Sequence, residues 1–328
     1  MMERLNPMEE TPRDSAQIFD ELGFVPVSYF SGSNKYPIEA DQPIKGHVFS
    51  GSLPDGTRAV VKTGHFNGDS VEKEVIYTKA LGEILAGSQY WVVRPPLKSG
   101  ADHIVYPLVQ GTPLSKDFFW DVGSMSQITQ QLRGMEAMMN TTSISVYDES
   151  SGRQWWRERM GMPQQNHIQG KWMAPVVKQN LLNRDAAMEI IQYLDRHATA
   201  LDDIARIYRD PNGDHFFLLG NGRTEIVDVD ISYRPRHYME MRYLAWALLN
   251  TPKADLNVHK WVGKIREVAK LGADTEPTFV VSLVGTLWDI SREIANLEPE
   301  SERYHQLRMK AIEIREIIES IIRSDDKE

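Results

Sequence analysis

Residues 208–215 read Tyr208-Arg209-Asp210-Pro211-Asn212-Gly213-Asp214-His215. The chain continues through Phe216, Phe217, Leu218 and Leu219, a Gly220-Asn221-Gly222 turn, and Ile226-Val227-Asp228-Val229-Asp230. Short apolar runs bounded by Gly, Asn and Pro are strand-and-turn chemistry. A strand, a tight turn and a second strand therefore separate two aspartates, Asp210 and Asp228. One carboxylate placed this way can orient a hydroxyl while the other holds a metal ion. The bland alternative is a three-stranded meander in which Asp210 only caps a turn.

The residues upstream bear on that choice. Residues 46–53 alternate apolar and small side chains, Pro54-Asp55-Gly56-Thr57 is a turn, and residues 58–62 continue as a second strand. Lys62 closes the run Ala59-Val60-Val61-Lys62, where it can reach phosphate oxygens from a cleft or simply keep a strand edge soluble. Residues 70–85 form a helical pattern with Ser70 or Asp69 as N-cap. On its wheel Glu74 shares a face with Tyr77, Thr78, Leu81 and Leu85, so its carboxylate needs a cation, for which Lys62 is the candidate. Residues 103–109 form an apolar strand running into Gln110-Gly111-Thr112-Pro113-Leu114. That connector suits a hinge whose backbone, near Val109, can face a flat heterocycle.

Taken in order, Val60-Val61-Lys62, Glu74, the strand and glycine hinge, Tyr208-Arg209-Asp210 and Asp228 resemble the protein-kinase-like superfamily. The Gly-Thr-Pro-Leu connector, the helical insert of residues 115–205 and the absence of Ala-Pro-Glu after Asp228 are similar to its aminoglycoside phosphotransferase and choline kinase branch. The resemblance implies a two-lobed α+β fold. Residues 1–23 would be an extension, residues 24–110 an antiparallel-sheet N-lobe with one helix, and residues 111–328 a helical C-lobe containing the catalytic loop, residues 206–233.

It also implies ATP and Mg²⁺. Lys62 would bind phosphates and pair with Glu74, Gly46 would end the phosphate-binding loop, Asp210 would act as catalytic base, and Asp228 would hold the metal. His215 stands where the family has a metal-binding asparagine, and imidazole suits hard Mg²⁺ poorly. Asp214 and Asp230 are nearby oxygen sources. The glycine loop has mostly lost its glycines, with Asp41 among residues 40–45. The implied activity is ATP-dependent phosphorylation of a small-molecule hydroxyl. Its rivals are an impaired pseudokinase acting as a nucleotide-binding or regulatory module and a divergent protein kinase.

With 328 residues the chain can bury a large core in one two-lobed domain or two domains. A net charge of −9 argues against nucleic-acid and anionic-membrane partners and is compatible with a cationic acceptor. Having no cysteine, the chain has no disulfide, thiolate or Cys-zinc chemistry. Its polar N-terminus and short apolar runs point to a cytoplasmic protein. Further helices read at residues 126–139, 186–205, 239–250, 257–269, 279–297 and 299–323. Met135, Met138 and Met139 read as core filling. Residues 143–166 are the least legible. Within them, Trp155 and Trp156 among Arg153, Arg157 and Arg159 read as an amphipathic helix packing its indoles, with a substrate-binding surface as the other reading. The last helix covers the helical half or forms a dimer contact.

Overall fold

The computed structural model describes residues 14–31, 34–38, 47–63, 71–114, 122–141, 149–161, 170–209, 211, 213–249, 267 and 275–325. The expected helix at 257–269 and the caps at Asp69 and Ser70 lie outside these residues. Two compact units divide the chain: one runs to Gly111 and also takes in Leu219–Val229, and the other holds Thr112–Leu218 and everything from Asp230 on.

The first unit begins with α1 (Ser15–Leu22), capped by the Asp14 carboxylate on the Ala16 N–H and stopped by Gly23 at φ 60, a left-handed conformation that glycine adopts at little cost. Strands β1 (Val25–Ser31), β2 (Asn34–Pro37), β3 (Val48–Ser52) and β4 (Arg58–Thr63) follow. After α2 (Val71–Ile84) come β5 (Trp91–Val92), β6 (Lys98–Ser99) and β7 (His103–Pro107). Six strands make one antiparallel sheet in the order β2-β1-β3-β4-β7-β6.

The two-residue period of β4 splits its side chains. Ala59 and Val61 are fully buried in a cluster with Ile18, Phe19, Phe24, Phe49, Leu53 and Val105. Phe19 packs edge-on to Phe49 at 4.9 Å, and truncating such a core phenylalanine costs about 3–5 kcal/mol. Val60 and Lys62 point to the other face, where they are cross-strand partners of Tyr106 and Ile104. That face meets α2.

In the second unit, β8 (Gly111–Pro113) leads towards α3 (Val122–Thr141), α4 (Glu149–Met160), α5 (Met173–Lys178), α6 (Arg184–Arg196) and α7 (Ala198–Leu201). Next come β9 (Ile204–Tyr208), β10 (Phe216–Leu219), β12 (Ile231–Pro235) and α8 (Tyr238–Leu249), then α9 (Glu276–Ile294) and α10 (Glu302–Asp325), while β11 (Thr224–Ile226), between β10 and β12 in the chain, belongs to the first unit.

Helix α9 is buried around most of its circumference, as a central helix must be. Its buried Ser282 and Thr286 hydroxyls donate back to the carbonyls of Thr278 and Ser282 at 2.9 and 3.2 Å, so no hydroxyl there is desolvated without a partner. The stripe Leu307, Ala311, Ile314, Ile317, Ile318 and Ile321 of α10 is buried within the chain, and Met135 and Met139 are core residues. Among the described residues no helix is long and apolar enough to cross a membrane.

One local expectation needed correction. The helix expected over 186–205 ends at Arg196, and Ile204 already belongs to a strand. Asp202 is spent on side-chain bonds instead, accepting from both Arg157 nitrogens at 2.6 and 2.7 Å and from the Trp156 indole at 3.1 Å. The amphipathic helix read around Trp155 and Trp156 is present as α4, and both indoles are buried. The bland alternative for residues 206–233, a three-stranded meander, is not what forms. β9 pairs with β12, Tyr208 opposite Ile231, while β11, itself part of the first unit, pairs in parallel with β5 there.

A polar cluster joins α3 to α8. Glu136 accepts from the His237 backbone N–H at 3.1 Å, where His237 stands at φ 67. His237 Nδ1 lies 3.0 Å from Glu240, which also pairs with Arg133. Burial, with Glu240 nearby, pushes Glu136 up to about 7 despite His237. The Glu240 carboxylate holds His237 above its ordinary value against burial.

Candidate active site

The site in the first unit is built on Lys62. The strand period turns its stem away from the phenylalanine core, and the helical period turns Glu74 inward with Tyr77, Thr78 and Leu81. The ammonium donates to Glu74 Oε2 at 2.7 Å and to Asp228 Oδ1 at 2.7 Å. Glu74 is held on its other oxygen by the Tyr106 hydroxyl, which donates to Oε1 at 2.9 Å. The Thr78 hydroxyl donates to the Glu74 carbonyl at 2.8 Å and lies 3.4 Å from the Tyr106 hydroxyl.

Exposure is graded along this chain of contacts. The Glu74 side chain is 9% exposed, Lys62 23% and Asp228 52%. Burial disfavours the Lys62 ammonium, but Asp228 and Glu74 together outweigh it and hold its pKa above the ordinary value. Burial dominates at Glu74 and raises it despite Lys62, while burial and the Glu74 charge raise the Tyr106 phenol. The result is a fixed ammonium between a buried carboxylate and a solvent-facing one. Asp228 sits at φ 55, a left-handed conformation that Asp and Asn tolerate better than other non-glycine residues.

Lys62, Glu74 and Asp228, each singled out from the sequence, are thus brought together. Val109 lies half-buried just after β7, and its neighbour Leu108 donates its N–H to the Arg58 carbonyl at 3.0 Å and accepts from Arg94 at 3.3 Å. Gly46 and Asp210 lie outside the described residues. His215 and Asp230 belong to the second unit. There the Tyr208 hydroxyl and His215 Nδ1 share a hydrogen bond of 3.0 Å, and Asp230 pairs with Arg209 at 2.8 Å. Among the described residues no group of three or more His, Asp or Glu is gathered as a metal site.

Two contributors escaped the sequence reading. Tyr106 was read only as part of an apolar strand. A tyrosine hydroxyl that becomes buried needs a partner, and its register opposite Val60 puts it on the Lys62 face. Arg94 and Glu225 form a second tie, at 2.6 Å, beside the parallel pair Glu225–Val92. Nothing in the sequence pairs residues so far apart.

Sequence comparison finds no matching family model and no matching curated protein. The likeness is in three dimensions. An amicoumacin kinase in complex with AMP-PNP and Ca²⁺ superposes with a TM-score of 0.59 at 12% identity, covering 94% of each chain. The chain has the protein-kinase-like fold. A choline kinase from Cryptosporidium parvum Iowa II gives 0.54 at 11% identity over 92% of this chain and 91% of its own. A microcompartment-associated aminopropanol kinase gives 0.53 at 12% identity over 95% and 98%. Like these neighbours, the chain has an antiparallel sheet in its N-terminal region and helices in its C-terminal region.

Proposed function

We propose that this protein transfers the γ-phosphoryl group of ATP to a hydroxyl of a small molecule. The observation that carries the reading is the Lys62 ammonium fixed at 2.7 Å between Glu74 and Asp228. Such a lysine is a point charge for phosphate oxygens, and its ion pair with Glu74 removes the orientational freedom that binding would otherwise have to restrict. Tyr106 keeps the second Glu74 oxygen occupied, so Glu74 has no reason to swing away.

A hard divalent cation fits the half-exposed Asp228 carboxylate, whose oxygens are the donor type such ions take. The bound cation would supply neutralisation of phosphate charge. Asp230 and His215 are further candidate donors, although Asp230 already pairs with Arg209 and His215 with Tyr208. Mg²⁺ is the physiological expectation. Asp210 is assigned the proton of the acceptor hydroxyl from its place after Tyr208-Arg209. Small-molecule kinases among the structural neighbours support the reaction class, and a cytoplasmic setting agrees with it.

The occupied positions of His215 and Asp230 favour a second reading, a nucleotide-binding module that does not turn over. Thermal shift with ATP, with and without Mg²⁺, followed by release or transfer of labelled γ-phosphate, separates the two. Enzyme activity lost in Asp210→Asn with ATP binding kept supports phosphotransfer. ATP binding without transfer to any of a broad set of alcohols favours the module, and no ATP-induced shift under either condition overturns both.

A further inference from the structure

The second unit holds a cluster of guanidinium groups that the carboxylates paired with them among the described residues do not balance. Helix α4 lies against β12 so closely that a side chain at Gly152 would meet Tyr233 Cβ at 2.6 Å. This contact brings Arg159 of α4 and Arg234 of β12 to one ring: their guanidinium carbons are 4.9 and 4.5 Å from the Trp155 centroid. Trp172 and Tyr238 pack edge-on to that indole, each at 5.1 Å. Arg209 stands near enough to both arginines to depress them.

The charges can be paired off. Arg209 has Asp230 at 2.8 Å, and among the described residues Arg159 pairs with the largely exposed Glu158 at 3.4 Å. Arg234 is 9% exposed and has no carboxylate within ion-pair distance among the described residues. One of its nitrogens donates to the Tyr233 carbonyl at 2.6 Å, and its buried Nε–H has no acceptor. Burial, reinforced by Arg159 and Arg209, outweighs the pull of Tyr238 and Asp230 and brings this guanidinium down to about 9, so it stays charged at neutral pH in surroundings that on balance oppose the charge. A buried cation without a counter-ion is costly, and an aromatic face offsets only part of that cost. An anion would supply both the missing charge and the missing acceptor.

We infer that Arg234 and Arg159, walled by Trp155 and Tyr238, form a binding site for an anionic group, a carboxylate or a phosphate. Resting on the phosphotransfer reading, this group belongs to the acceptor molecule, because Arg209 of the same cluster immediately precedes Asp210. The acceptor is then an alcohol that carries a negative charge, in contrast to the cationic acceptor that the net charge of −9 was compatible with.

The test has a binding arm and a turnover arm. Sodium malonate and sodium phosphate are titrated into the full chain at ionic strength fixed with chloride, and binding is followed by calorimetry and by tryptophan fluorescence. Saturable binding of one of them is expected, weakened roughly 10- to 100-fold in Arg159→Gln, the loss expected for one hydrogen bond to a charged group. Arg234→Met should lose binding altogether. Arg234→Lys, which keeps the charge, serves as the folding control alongside circular dichroism. The preferred anion tells carboxylate from phosphate. No saturation by either anion, or unchanged affinity in both Arg159→Gln and Arg234→Met, overturns the site. In the turnover arm, glycerate and glycerol 3-phosphate are compared with glycerol and choline under ATP and Mg²⁺. Faster transfer to the anionic alcohols supports the assignment, and transfer confined to neutral or cationic ones overturns it. Saturable anion binding with no transfer to any alcohol keeps the anion site and sinks the phosphotransfer reading instead.

Discussion

Replacing Lys62 by Met leaves Glu74 as a buried carboxylate with the Tyr106 hydroxyl but without the 2.7 Å ammonium. Breaking a fully buried pair from one side costs about 3–5 kcal/mol, because the surviving charge is left uncompensated. Lys62 is 23% exposed and its own desolvation is relieved, so about 2–3 kcal/mol is expected here at pH 8. The loss depends on pH in a definite direction. Burial already raises Glu74 above its ordinary 4.5, and removing the cation raises it further. The folded variant then holds a proton that the unfolded chain has released. Its stability is greatest below pH 4.5 and falls as pH rises through the raised folded value. Urea unfolding of the variant at pH 5 and pH 8 should therefore show a much larger deficit at pH 8. Adding Glu74→Gln, which keeps an acceptor for Tyr106 but no charge, should restore at least about 1 kcal/mol at pH 8 as coupling between the two sites. Equal deficits at the two pH values, or no recovery in the double variant, would refute the buried-pair argument.

At Asp228, Asn should keep stability within about 1 kcal/mol, because the lost ion pair is half exposed, while nucleotide turnover is lost. Ala at the same position should unfold more readily than Asn by about 1 kcal/mol, since φ 55 suits Asn better; equal urea midpoints would count against strain there. Glu136→Gln should flatten the fall in stability between pH 5 and 8. The wild-type contribution is present below about 4.5 and lost as pH rises through about 7, a span of about 3 kcal/mol. His237, also raised, titrates in the same direction and leaves a residual slope, whereas an undiminished slope in the variant would place the titration elsewhere.

Much of the first unit was legible because its signals are local. The Pro54–Thr57 turn fixes where β3 ends and β4 begins. The alternation of residues 58–63 and the wheel of α2 each pick the face on which Lys62 and Glu74 meet. The second unit was less legible where a long-range partner overrode local propensity. α6 ends at Arg196, short of its expected end, and β9 takes β12 over its sequence neighbour β10.

The sequence by itself showed a resemblance to the protein-kinase-like superfamily in the order of Lys62, Glu74, Asp210 and Asp228, and it determined the faces of Lys62 and Glu74, because strand and helix periodicity act over a few residues and carry the side-chain direction with them. Tertiary structure alone decided that Tyr106 locks Glu74, that Asp228 shares the Lys62 ammonium, and that Arg234 is buried beside Trp155 without a carboxylate. These depend on which distant strands and helices pack together. Burial then sets the electrostatic cost of each group, and no pattern along the chain records how much water a side chain has lost.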